Sequence, residues 1–218
     1  MAGVATTVDG LLPLVDAVRI VLGVHGAGVS VVREGFLSVA AGGSGAVSEL
    51  GRAQERTQAG PSLDAAATGA PVLVTDMRDA IYRWPALARV VAGVGSTAMM
   101  SVPSRLELEE DATAVLDVCA AGPHTWTGEE VRLASLFAAA AGASIANGSR
   151  VEQATRTAEQ LRHALDSRVL IEQAKGILSA ERGISVDDAF ALLRRRARDH
   201  GEPLRDVADP VVNRRLRP

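Results

Sequence analysis

The chain has 218 residues, enough for one large domain or two small ones with a real buried core. Apolar residues make up 47% and aromatic residues only 3%, so Ala, Val, Leu and Gly carry the core and few flat side chains are on hand to grip a planar cofactor. A net charge of −3 excludes a global basic field, and a single cysteine, Cys119, excludes an internal disulfide or a cysteine-based zinc site.

The charge is unevenly split. Residues 1–150 hold 10 Lys and Arg against 15 Asp and Glu, whereas 151–218 hold 13 against 11. Eight arginines fall between Arg194 and Arg217. An arginine-rich end on an acidic body points to two domains with different partners. The N-terminus lacks the basic and apolar regions of a signal peptide, and no stretch of 18 apolar residues is free of charge. A cytoplasmic protein without a membrane span is expected.

In chain order, Val8 to Leu22 has helical periodicity. Val29–Val32 and Phe36–Ala41 read as strands around Arg33-Glu34-Gly35. Ser44 to Gln58 reads as a helix broken by Gly60-Pro61, with Ser62 or Asp64 placed to cap the next turn. Pro71–Thr75 reads as a buried strand, Tyr82–Ala92 as a helix, and Thr97–Val102 and Ala112–Ala120 as strands. Gly42–Gly45 and Glu107–Asp111 read as loops. Clustered strands with helices before and after predict an α+β domain, an antiparallel sheet with helices on its faces.

Thr127-Gly-Glu-Glu130 is a capping box opening a long helix that carries Val131, Ala134, Phe137, Ala141 and Ile145. Asn147-Gly148 is a weak point in it. Val151, Ala154, Ala158, Leu161 and Leu165 then follow at steps of 3, 4, 3 and 4, a heptad seam. Such a seam either pairs with a second copy or lies on its own domain; a homodimer through Val151–Leu165 and the terminal helices of the first domain is expected.

Residues 161–215 read as three helices. The first runs to Glu181 and ends at Gly183. Ser185-x-x-Asp188 caps the second, which runs to about Asp199, and Gly201 and Pro203 separate it from the third. The expected bundle core is Val169, Leu170, Ala174, Ile177, Leu178, Ala189, Phe190, Leu193, Ala197, Leu204, Val207 and Ala208. Pro210 should kink or end the third helix, since proline in a helix interior costs about 3 kcal/mol or more.

Arg168, Glu172, Lys175 and Arg182 fall on one face of the first bundle helix, and Lys175 is the only lysine in the chain. Gly176 sits mid-helix at a cost of about 1 kcal/mol, either as a packing notch or for close approach of another helix or a nucleic-acid backbone. Arg194 and Arg198 share a face of the second helix, and Arg205 opens the third. This set is either a solvated face or a phosphate-contacting surface.

The run Leu165-Asp-Ser-Arg-Val-Leu-Ile-Glu-Gln-Ala-Lys-Gly-Ile-Leu178, followed by Gly183-Ile-Ser-Val-Asp-Asp-Ala-Phe-Ala-Leu-Leu-Arg194 and Pro203-Leu-Arg-Asp-Val-Ala208, strongly resembles the ANTAR domain of RNA-binding antitermination regulators. The resemblance covers roughly 161–215. It implies binding to paired hairpins in nascent transcripts and places the family's polar residues on Arg168, Gln173, Lys175 and Arg194. With the basic face, the expected RNA-binding residues are Arg168, Gln173, Lys175, Arg194, Arg198 and Arg205. Over about 8–150, Gly60-Pro-Ser-Leu-Asp-Ala65, Val74-Thr-Asp76, Arg83-Trp-Pro85, Gly95 and Ser101-Val-Pro103 resemble a GAF domain more loosely. GAF domains bind cyclic nucleotides, bilins, haem or other small ligands, or only their own dimer partner. Asp76, Arg83 and Trp84 are the candidate ligand-binding residues.

The expected layout is therefore a GAF-like sensor over 8–147, a helical coiled-coil linker over 148–160 and a three-helix ANTAR bundle over 161–218. No catalytic or metal-ligating group converges: His25, His124, His163 and His200 are scattered, and Gly42-Gly-Ser-Gly45 lacks the Lys-Ser/Thr of a phosphate loop. No cofactor is expected, and Cys119 reads as core. The alternative reading is a small-molecule or protein-binding sensor whose helical tail dimerises or docks a partner without RNA.

Overall fold

The computed structural model describes residues 2–43, 45–95, 97–106 and 111–213, with side-chain surroundings from Gly10 onward. The chain divides into two compact units, Met1–Glu152 and Gln153–Pro218.

The first unit is built on five strands: β1 (Gly26–Arg33), β2 (Phe36–Gly42), β3 (Val72–Val74), β4 (Thr97–Arg105) and β5 (Ala112–Ala121). They form one antiparallel sheet in the order β2-β1-β5-β4-β3. Strand β5 is central and buried on both faces, and its side chains divide by the two-residue period. Ala114, Leu116 and Val118 enter the core beneath α1 (Ala2–Leu22) and the early turns of α5 (Gly128–Arg182). Val115 and Cys119 face the other way, among residues of α2 (Ala46–Thr57), α3 (Pro61–Thr68) and α4 (Ala88–Val94). The predicted α+β class and sheet with helices on its faces are what the chain forms.

Several boundaries differ from expectation. Helix α1 begins at Ala2 rather than Val8 and runs through Pro13. The segment expected to be a helix over Tyr82–Ala92 turns through Tyr82 and Arg83 and makes a 3-10 turn at Pro85–Leu87. It becomes α-helical only at Ala88. Pro85 sits at the start of the 3-10 turn, a first-turn position where its missing N–H costs nothing. Ser44 and residues 107–110, read as loop, lie outside the described residues.

Helix α5 starts on the predicted capping box. Glu130 donates its N–H to Thr127 Oγ1 (3.2 Å), and Thr127 donates its N–H to Glu130 Oε2 (2.7 Å). It continues for 55 residues without a break at Asn147-Gly148. Along it, Val151, Leu161 and Leu165 are 67%, 61% and 64% exposed, so the heptad seam does not lie against its own chain.

In the second unit, the end of α5 packs with α6 (Val186–His200) and α7 (Leu204–Asn213). Ser185 Oγ accepts the Asp188 N–H at 3.1 Å as the cap of α6, and Gly201 ends it at φ 65°. Ala174, Ala189, Leu193, Val207, Ala208 and Val212 are buried, with Leu170, Ile171, Ile177, Leu178 and Leu204 packed around them. Val169, expected in this core, is more than half exposed. It lies four residues beyond Leu165, on the seam side of the helix rather than the bundle side. Pro210 neither ends nor removes the third helix, which passes through it to Asn213. The lost hydrogen bond is offset by burial of Val212 one turn-half further on. The cluster of arginines after Asn213 lies outside the described residues.

Candidate nucleic-acid interface

Among the four arginines between 194 and 198 the helical period separates two pairs. Arg194 and Arg198 stand one turn apart on one flank of α6. Arg195 and Arg196 point to the other flank, where they line a groove with Leu178, Leu192 and Val211. Arg195 is paired there with Asp199 at 3.7 Å.

The first flank meets α5 at an aromatic ring. Phe190, expected in the bundle core, is half-buried and is not among the side chains that pack on that core. The Lys175 ammonium lies 5.0 Å from its ring centroid and the Arg194 guanidinium carbon 5.6 Å. Both are within cation–π range. Lys175 also donates to both Glu172 carboxylate oxygens, at 3.0 and 2.9 Å, and its side chain is only 14% exposed. Arg168, seven residues before Lys175, projects from the same side of α5 and is exposed.

Two of the expected residues stand elsewhere. Gln173 is exposed and lies about 160° round α5 from Lys175, given 3.6 residues per turn. Arg205 Nη1 donates to His163 Nε2. That contact is twelve residues back along α5, roughly 18 Å from Lys175 at 1.5 Å per residue. The structure thus gathers Lys175 and Arg194, with Arg168 and Arg198 on the same flanks, and leaves Gln173 and Arg205 apart. Gly176 has nothing within 4 Å of the place its Cβ would take, so it is not a packing notch within its own chain.

In the first unit, the candidate ligand-binding residues are tied to their neighbours. Asp76, 5% exposed, accepts the Arg78 N–H at 2.9 Å and the Arg78 guanidinium at 2.7 Å. Asp64 of α3 accepts from Arg83 Nη2 at 2.7 Å and from Trp84 Nε1 at 3.2 Å, and the guanidinium of Arg83 lies 4.8 Å from the Trp84 ring centroid. Arg83 and Trp84 therefore come together on Asp64; Asp76 serves Arg78 instead. Cys119 is fully buried, and burial together with Asp117 pushes its thiol up.

Sequence reasoning passed over a buried polar node beneath α3. Asp117, in mid-β5, accepts hydroxyl bonds from Ser101 (2.6 Å), Ser62 (2.7 Å) and Ser30 (3.2 Å). Burial raises its carboxyl to about 6, against the lowering effect of the three hydroxyls. Gln54 of α2 is also fully buried and accepts the Ser62 N–H at 2.9 Å, while its Nε2 has no partner among the described residues. The available signal was a charged residue inside the otherwise apolar run Val115–Cys119.

Among the described residues no group of His, Cys, Asp and Glu is arranged to hold a metal ion, and no helix is long and apolar enough to cross a membrane.

The GAF domain model matches residues 7–145 and the ANTAR domain model matches residues 159–212. No curated protein matches the chain. A domain of a putative two-component sensor histidine kinase from Sinorhizobium meliloti 1021 shares the fold with a TM-score of 0.53 and 21% identity, over 68% of this chain and 95% of its own. The blue-light-absorbing form of the PixJ GAF domain from Thermosynechococcus elongatus superposes with a TM-score of 0.49 at 17% identity, over 75% of this chain and 96% of its own. With a GAF domain over residues 7–145 followed by an ANTAR domain over 159–212, the chain belongs to the GAF-domain proteins and carries an ANTAR module after its GAF domain.

Proposed function

We propose that this protein is a cytoplasmic RNA-binding antitermination regulator that holds paired hairpins in nascent transcripts and so keeps a terminator from forming. The observation that carries this reading is the meeting of Lys175 and Arg194 over the Phe190 ring, with Arg168 and Arg198 alongside. A cluster of cations fed by two helices suits phosphate contact, and loop bases are the part of an RNA hairpin that side chains can read. Gln173 and Arg205 belong to the same module and act, in this reading, away from the central cluster.

The GAF domain serves sensing, dimerisation or both. Exposed Val151, Leu161 and Leu165 support a homodimer in which two copies of α5 pair along that seam. Asp76, Arg83 and Trp84 are then part of a loop region in which a small ligand would compete with Arg78 for Asp76 and with Asp64 for Arg83 and Trp84.

The deciding experiment is sequencing of RNA that co-purifies with the intact protein, followed by titration of recovered two-hairpin segments at several salt concentrations. Enrichment of hairpin pairs upstream of terminators supports the reading. A dimer that binds such RNA no better than a scrambled sequence overturns it and favours a sensor whose helical tail docks a protein.

A further inference from the structure

Phe190 is the only Phe, Tyr or Trp between residues 151 and 218, and it is not wholly committed to the core. A half-buried ring at the rim of a bundle normally just closes the core. Here two cations from different helices, Lys175 of α5 and Arg194 of α6, also lie over it. The two cations differ in how free they are. Lys175 is held by both oxygens of Glu172 and mostly covered. Arg194 is exposed and has no ion pair among the described residues. The Arg194 guanidinium lies within cation–π reach of the ring at 5.6 Å, and as a planar, exposed group it can also take a second π system.

We propose that Phe190 is a positioning residue of the RNA site: it fixes the Arg194 guanidinium as a platform on which an unpaired loop base stacks, while Lys175 anchors the ring. This rests on the RNA-binding reading above. It assigns Arg194 to base recognition rather than to phosphate. It gives Lys175 the smaller direct role, because its charge is already met by Glu172. The physical division is that stacking is planar and insensitive to salt, whereas phosphate contact is not.

The test uses the full-length protein and a two-hairpin RNA recovered from co-purified transcripts, with 2-aminopurine placed in the loops. The variants are Phe190→Leu, Phe190→Tyr and Arg194→Lys. Phe190→Leu and Arg194→Lys should each weaken binding about fivefold to tenfold, the range of a lost cation–π contact or base stack. They should leave the salt slope unchanged, since no cation is removed, and abolish the 2-aminopurine fluorescence change on binding. Phe190→Tyr keeps the ring and should behave as wild type. Arg194→Lys alters an exposed side chain, so it tests the proposal even where Phe190→Leu lowers the melting temperature. Wild-type affinity and fluorescence response in Arg194→Lys, or in a folded Phe190→Leu, would overturn the proposal while leaving RNA binding intact. If wild-type protein binds the RNA no better than a scrambled one, the RNA reading falls and this proposal with it.

Discussion

Ser62, in the first turn of α3, donates its hydroxyl to the Asp117 carboxylate in the middle of β5 at 2.7 Å. The bond ties a helix to the central strand of the sheet through a carboxylate that has three hydroxyl donors. Replacing that carboxylate by its neutral isostere separates the value of the hydrogen bonds from the cost of the charge.

Asp117→Asn should stabilise the protein above neutral pH. The native carboxyl titrates at about 6 against an ordinary value of 3.8, so the folded state holds its proton more tightly than the unfolded chain does. Stability linked to this group is fully present below about pH 4 and is lost as pH rises through 6. The difference corresponds to about 2–3 kcal/mol. Melting curves of the variant and the wild type should therefore coincide below about pH 4, separate between about pH 4 and 6, and keep a constant gap above that, with the variant higher. A variant that melts lower at pH 7.5 would mean the charged hydrogen bonds outweigh the burial cost.

Gly60→Ala should destabilise by about 3 kcal/mol or more, from strained backbone and overpacking together. Gly60 has φ 147°, and an added Cβ would fall 2.2 Å from Oε1 of the fully buried Gln54. Chemical denaturation of Gly60→Ala, Gln54→Ala and the double variant measures how much is collision. The double variant should lose less than the sum of the singles, because truncating Gln54 removes the obstacle but not the strain.

Arg198→Ala and Arg195→Ala, three residues apart on α6, should differ in RNA binding. Arg198 shares the flank of Arg194, whereas Arg195 lines the far groove and pairs with Asp199. Losing one phosphate contact should lower the salt slope by about 0.7–0.9 for Arg198→Ala. Arg195→Ala should leave slope and affinity unchanged. Equal effects in filter-binding titrations would show that the helix face does not decide which arginine meets RNA.

Leu161→Glu combined with Leu165→Glu should convert the dimer to monomer without unfolding either unit. Both side chains are exposed in the single chain, so charge there costs little unless a second copy covers them. Sedimentation at micromolar concentration, with melting curves alongside, is the check. A wild-type protein that already sediments as a monomer removes the seam from the account of function.

The helical end of the protein was readable in detail because its signals are local. Ser185, Gly201 and Thr127 mark their boundaries through hydrogen bonds spanning three or four residues, and the structure places those bonds as the spacing requires. The sheet class was readable from strand clustering. The node around Asp117 was not, since Ser30, Ser62 and Ser101 reach it from three separate elements and nothing in a linear pattern records that convergence. Val169 was misplaced for a related reason: it is apolar and helical, but period alone does not say which of two apolar stripes faces the bundle. The local rule has Pro210 kink or end the helix, whereas the helix runs through it to Asn213. The cationic cluster was half legible. Spacing grouped Arg194 with Arg198, but only the packing of α5 on α6 shows that Lys175 and Arg194 meet on Phe190 and that Arg205 meets His163.

The Lys175 side chain gives the chain an unusual chemical simplicity. It is the one lysine of 218 residues, and every other permanent side-chain cation is a guanidinium. Reagents selective for primary amines therefore have one side-chain target, and that target stands beside Phe190 and Arg194. Wild-type protein thus carries a single side-chain amine to label at the interface, apart from the α-amino group. A change in acylation rate at that amine reports occupancy of this one spot, with no engineered cysteine and no background from lysines elsewhere on the surface.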